Sequence, residues 1–154
     1  RMGGVGDPSS MVVAYRSFSL DDIDVQPLSD EAWRDGYPFV ERMLHDWKSG
    51  ENCFAGPGER LVGAFEDDKL IGFCGLNRDP YVSENTGRIR HLYVDLAHRH
   101  IGIARALVAQ ALDGASIWFP RIRLRATPAS RSFYELLGFL PVDETEATHA
   151  KRLR

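Results

Sequence analysis

The chain has 154 residues, 44% of them hydrophobic and 27% charged, with a formal net charge of −3. That length suits one domain with a real core, needing neither disulfides nor a structural metal, and no apolar run nears the roughly 18 residues of a membrane span. The charge is uneven: residues 87–154 carry 11 Lys and Arg against 6 Asp and Glu, while residues 1–86 carry 8 against 16. A basic half in an acidic chain points to a localised anionic ligand and away from nucleic acid, which draws a broader basic surface.

Residues 1–10 are rich in Gly, Ser and Pro and lack an apolar h-region, so they read as a cloning remnant or flexible leader, not a signal peptide. Met11 then opens a single domain over 11–154. Val12–Phe18 predicts a first strand. Pro27-Leu28-Ser29-Asp30-Glu31 predicts a helix start with Ser29 as cap and acids in the first turn. Gly36 interrupts it, and Pro38 opens a second helix with Phe39, Val40, Met43, Leu44 and Trp47 at helical spacing.

Ser49–Arg60 is a Gly-rich loop. Leu61–Phe65 and Lys69–Leu76 are apolar runs around Glu66-Asp67-Asp68, a hairpin signal. Asn77–Gly87 is polar and loop-like, and Arg88–Val94 is the next strand. Ile103–Leu112 is a helix closed by Asp113-Gly114. Arg121–Ala126 alternates Arg with apolar residues and reads as a strand whose Arg121, Arg123 and Arg125 face either the ligand or solvent, with at least one on a wet face. Thr127 and Pro128 open a last helix that Gly138 closes, followed by strands at Phe139–Val142 and Ala147–Leu153. The order predicts an α/β protein of α+β type with a mixed sheet, antiparallel in its early hairpin. Cys53 and Cys74 form no CxxC pair and read as reduced structural thiols of a cytoplasmic protein.

The chemistry concentrates after the strand that ends at Val94. A short basic loop with Arg99 and His100 leads through Ile101 and Gly102 into a helix that carries Ile103, Ala104 and Arg105. A helix start leaves backbone N–H groups unpaired, its dipole is positive there, and small residues keep the approach open. These are the ingredients of a diphosphate site. The pattern is neither GxGxxG nor a P-loop. Local physics alone leaves it between a diphosphate site and a plain strand–loop–helix connection.

Arg99-x-x-Gly102-x-Ala104, after a Leu-Tyr-Val-Asp strand end, resembles the [QR]xxGx[GA] motif of the GNAT acetyltransferase superfamily. Ser130-x-x-Phe133-Tyr134-x-x-x-Gly138-Phe139 resembles that family's AxxFYxxxGF segment, with Ser130 in the place of Ala. The two motifs occur in order with the right elements between them, and the resemblance covers residues 12–153.

The resemblance implies a mostly antiparallel sheet with a splayed pair of parallel strands and flanking helices. It implies acetyl-CoA as co-substrate, an amine as acceptor and no metal. It places the pantetheine arm on Leu92, Tyr93 and Val94 and the pyrophosphate on backbone N–H groups from Arg99 through Arg105. Thr127 stands where the family often has a cofactor-contacting Asn. Ser130 and Phe133 fall beside the cofactor, and Tyr134 takes the place of the family's general acid. The resemblance also admits a homodimer.

The general base is harder to assign. Arg88, Ile89, Arg90 and His91 stand where many relatives place a Glu or His. His91 is the sequence candidate because its ordinary pKa suits neutral pH. It also reads as a histidine that simply packs, with a water relay to Glu66 or Glu84 as a further route. Phe39, Met43, Trp47 and Phe54 either shape an acceptor pocket or dock a helix on the sheet. The loop Asn77–Tyr81 either touches the acceptor or is an ordinary connection. The function expected is direct acetyl transfer from acetyl-CoA to a primary amine of a small molecule. Acetylation of a peptide N-terminus or protein lysine, and a CoA-binding regulatory module without turnover, are the alternatives.

Overall fold

The computed structural model describes residues 12–154; the leader at 1–10 and the start at Met11 lie outside the described residues. Seven strands, β1 (Val13–Ser17), β2 (Arg60–Glu66), β3 (Lys69–Arg78), β4 (Gly87–Val94), β5 (Arg121–Leu124), β6 (Leu140–Glu144) and β7 (Ala147–Arg152), form one sheet in the order β1-β2-β3-β4-β5-β7-β6. All neighbours are antiparallel except β4 and β5. Four helices cover it: α1 (Gln26–Arg34), α2 (Phe39–Ser49), α3 (Ile103–Leu112) and α4 (Arg131–Leu136).

The sheet is buried on both faces. On one, Val40 and Met43 of α2 and Leu28 of α1 pack against Leu61, Phe65 and Phe73. On the other, Ile103, Leu107, Val108 and Ala111 of α3 pack against Ile71, Cys74 and Val94, with Tyr134 of α4 in the same cluster. β3 is buried along eight consecutive residues, as a strand covered on both sides must be.

Three local expectations are corrected. Ser29 lies buried inside α1, which begins three residues earlier; the Asp24 carboxylate accepts the Gln26 N–H at 2.9 Å, and Pro27 supplies the first-turn geometry. The final helix is preceded by a 3-10 turn at Pro128–Ser130, where Thr127 and Ser130 close a capping box. Of the β5 arginines, Arg125 is exposed, but Arg123 faces neither ligand nor solvent and is fully buried.

That burial is possible because Arg123 finds partners for its charge. Its Nε donates to Asp79 Oδ2 at 2.8 Å, its Nη1 to Glu144 at 3.1 Å and its Nη2 to the Thr145 carbonyl at 2.9 Å. Arg88 of β4 reaches the same Asp79 oxygen at 3.4 Å and the Glu146 carbonyl at 2.6 Å. Arg88 and Arg123 are register partners in the parallel pair, so Asp79 neutralises two like charges that the sheet places opposite each other. Burial alone would raise the Asp79 carboxyl; the Arg123 hydrogen bond, the Tyr81 N–H and the Arg88 charge outweigh it and hold the carboxyl below the usual carboxylate range.

Candidate active site

β4 and β5 stay together for only two pairs, Gly87 with Ile122 and Arg88 with Arg123. Beyond them β4 runs on to Val94 with no strand on that side. On its other side the β3–β4 ladder steps from Gly75–Arg90 to Phe73–Tyr93, so Cys74 faces two residues, His91 and Leu92. This is a β-bulge, and its strain sits at His91, with φ of 61°. On the facing strand Gly75 leaves room for Phe54, whose ring a Cβ there would meet at 2.5 Å.

The divergence opens a cavity of about 890 Å³. One end is formed by His100, Gly102, Ile103, Ala104 and Arg105 at the start of α3. Gly102 holds φ of 90°, no side chain caps the helix, and nothing lies within 4 Å of where its Cβ would be. Unpaired N–H groups, a positive helix end and open space beside the Arg105 guanidinium and the His100 ring fit a diphosphate.

Arg99 lines the cavity, but its guanidinium turns back. Nε donates to the Val94 carbonyl at 2.9 Å, and Nη2 lies 2.8 Å from Asp35 Oδ2, close in distance without hydrogen-bond alignment. The guanidinium also sits over the Tyr93 ring, whose hydroxyl donates to Glu31 at 2.5 Å. Glu31 accepts the Leu96 N–H as well, at 3.2 Å. Arg99 thus bolts the loop to β4 and α1. Ile101 lies outside the cavity lining and is exposed.

His98 secures the same loop. Nδ1 is 2.5 Å from Asp95 and Nε2 is 3.1 Å from Glu66. Burial would lower its pKa, but the two carboxylates overcome burial and hold the imidazole above its ordinary value. Glu66 is therefore committed to the loop, and neither Glu66 nor Glu84 lines the cavity.

The middle of the cavity is walled by Leu92, Tyr93, Val94, Phe133 and Tyr134. Tyr134 is buried beside Phe133 and Phe139, with ring centroids 5.0 and 5.8 Å away. Burial, then the nearby Cys74, push its hydroxyl above the ordinary phenol value. Cys74 is wholly buried, with its thiol pushed up to about 12, and both cysteines are free. Thr127, Ala129 and Ser130 line the wall by α4. The Ser130 hydroxyl is engaged with Thr127, whose own hydroxyl donates to it at 3.0 Å.

At the far end stand Tyr37, Phe39, Arg42, Tyr81, Arg90 and His91. The His91 ring stacks on Phe39, with centroids 6.1 Å apart and planes at 24°, and meets Phe54 edge-on. Its Nε2 is buried without a hydrogen-bond partner. Burial, then the charges of Arg90 and Arg42, push its pKa down to about 3. Of the acceptor-pocket candidates on α2 and its loop, Phe39 alone reaches the cavity; Met43 and Phe54 are core, and the Trp47 indole N–H donates to Asp21 at 2.8 Å. Tyr37 and Arg42 were not legible as site residues, because only the turn between α1 and α2 brings them there. Among the described residues no helix is long and apolar enough to cross a membrane, and no cluster of three metal-ligating side chains occurs.

The sequence profile of the acetyltransferase (GNAT) family matches residues 22–139. No curated protein sequence matches the chain. Among solved structures, a protein of Exiguobacterium sp. 255-15 assigned to the acetyltransferases is 28% identical, with a TM-score of 0.83 over 92% of this chain and 94% of that one. The PaiA N-acetyltransferase of Thermoplasma acidophilum, solved with coenzyme A, is 22% identical, with a TM-score of 0.65 over 92% and 99%. A GNAT-family acetyltransferase of Staphylococcus aureus Mu50 is 14% identical, with a TM-score of 0.67 over 93% and 100%. The profile match over most of the chain, carried on a seven-stranded sheet that splays at its one parallel pair, means that the chain belongs to the GNAT family of acetyltransferases, which draw their acetyl group from acetyl-CoA.

Proposed function

We propose that the chain transfers the acetyl group of acetyl-CoA directly to a primary amine of a small molecule. The observation that carries this reading is one continuous cavity lined by three kinds of residue. An open helix start lies at one end, the strand splay with Tyr134 in the middle, and an aromatic and cationic chamber at the other end. Acetyl-CoA supplies an acyl group activated as a thioester. The N–H groups of Gly102 to Arg105 hold its diphosphate, and the unpaired edge of β4 from Leu92 to Val94 takes the pantetheine arm.

Backbone N–H groups at the His91–Leu92 bulge face the charge that builds on the thioester oxygen during attack. Tyr134 donates its proton to the departing thiolate. Its raised pKa keeps the hydroxyl protonated at working pH, as an acid must be. His91, with its pKa pushed down to about 3, is neutral but too weak a base to keep the amine's proton. It accepts a hydrogen bond from the amine through Nε2 and orients it, and the proton passes to water. Cys74, protonated and buried, forms no acyl intermediate.

The low basicity of His91 also favours one rival, a CoA-binding module without turnover. Thermal unfolding with acetyl-CoA, followed by thiol release over an amine panel, separates the two. The expected result is stabilisation and thiol release; stabilisation with no release from any amine leaves the binding module. Tyr134→Phe is expected to lower kcat about 100-fold while acetyl-CoA affinity holds. An unchanged kcat removes Tyr134 as the acid.

A further inference from the structure

We propose that the acceptor is an amino-acid-like amine, its carboxylate held between Arg42 and Arg90 and its apolar part against Tyr37 and Phe39. This rests on acetyl transfer as the reaction and adds the class of acceptor. The far chamber is cationic and almost without acid. Among the described residues, Arg88, Arg99, Arg121, Arg123 and Arg125 all pair with carboxylates. Arg42, exposed on α2, and Arg90, half-buried on β4, have no such partner, yet both line the chamber.

The one carboxylate lining the whole cavity is Glu146, and it lies 3.1 Å from Arg125. A polyamine, an aminoglycoside or a lysine in a basic peptide would therefore meet two uncompensated guanidinium groups and no free acid. An amine bearing a carboxylate meets the opposite: two donor forks, from α2 and β4, lining the same chamber as an aromatic wall. Tyr37 and Phe39 lie edge-to-face with centroids 5.9 Å apart, and both pack edge-on against Tyr93, making one aromatic wall of the chamber.

The same two charges answer the question of the base. A nearby like charge disfavours a cation. Burial first, then Arg90 and Arg42, depress the imidazolium of His91, and the two charges act in the same direction on an ammonium docked beside it. The acceptor is thus bound by its carboxylate and kept as free amine at its other end. No carboxylate base is needed in a chamber that holds none free.

The test uses the full chain with saturating acetyl-CoA. Thiol release is measured with a panel of amino acids, their α-amides and spermidine, and calorimetry with the chain loaded with CoA measures binding of the same compounds. The amide keeps the amine but loses the carboxylate, and its amine is the less basic, so a preference for the acid runs against the supply of free amine. At least one amino acid is expected to exceed its amide about tenfold in affinity and kcat/KM, with spermidine inactive. Arg42→Gln and Arg90→Gln should each shrink that acid-to-amide ratio about tenfold, with acetyl-CoA affinity held and melting checked to confirm folding. A preference for amides or spermidine, no preference anywhere, or a ratio unmoved in both variants overturns the proposal. Carboxylate-selective binding with no thiol release from any compound overturns the transfer reading, and with it the acceptor role, and leaves only a carboxylate-binding site at Arg42 and Arg90.

Discussion

At the scale of single residues, the site separates side chains that meet a ligand from side chains that hold the others in place. Arg99 and His98 illustrate the second kind. Both sit in or beside the basic loop, and both spend their charge on protein carboxylates. His98 makes a prediction with a definite sign. Its folded pKa is raised above the unfolded value near 6.5, so folding favours the protonated ring. Its contribution to stability is therefore fully present below about pH 6.5 and is lost as the pH rises through the higher folded value. Denaturant unfolding of the wild type and His98→Asn should show a larger loss at pH 6 than at pH 9. An equal loss at both, or a larger one at pH 9, means that the Asp95–His98–Glu66 contact does not bind the proton more tightly in the folded state.

At the scale of elements, the proposed diphosphate site rests on the backbone at the start of α3. Gly102 serves it in two ways, by adopting a left-handed φ and by leaving the space above the helix empty. Gly102→Ala tests the first alone: the open space admits a methyl group, so the expected cost is backbone strain of about 1–2 kcal/mol. Gly102→Glu adds a carboxylate where phosphates belong, and acetyl-CoA binding should fall below detection in calorimetry although the variant still melts cooperatively. If Gly102→Glu binds acetyl-CoA as Gly102→Ala does, the diphosphate lies elsewhere.

This element was readable in advance because its signals are local: a strand end, a basic loop, small residues and a periodic helix. The chamber at the other end was not. Arg42 lies on the polar side of an amphipathic helix and Tyr37 in a turn, and nothing in their neighbourhoods marks them. They become site residues only when α1 and α2 cross the sheet beside the bulge. Ser29 was misleading for a related reason. Its cap-like context is real, but Asp24 and Pro27 start the helix one turn sooner and tertiary packing then buries the serine.

At the scale of the molecule, the site exists because two strands part, and what fixes the point of parting is the buried ion network. Asp79 follows β3, Arg88 lies on β4, Arg123 on β5, and Glu144 to Glu146 span the end of β6 and the turn into β7. The alternating Arg pattern of β5 suggested a wet face, since sequence alone gives no sign of a carboxylate waiting 44 residues away. Arg88 and Arg123 form the last paired position before the cavity opens, so the network clamps the sheet where it would otherwise be pulled open by like charges. Removing the shared anion leaves two buried guanidinium groups uncompensated. Asp79→Ala should lower the unfolding free energy by about 3–5 kcal/mol. Asp79→Ala combined with Arg123→Met should recover part of that loss, because one stranded charge goes with its counterion. Additive losses in the double variant mean that Asp79 and Arg123 do not act as a pair. The carboxyls of Asp79 and Glu144 are both held below their ordinary values, so the wild type should also lose this contribution as the pH falls through their folded values. Asp79→Ala, having lost Asp79's share, should show a shallower decline in acid.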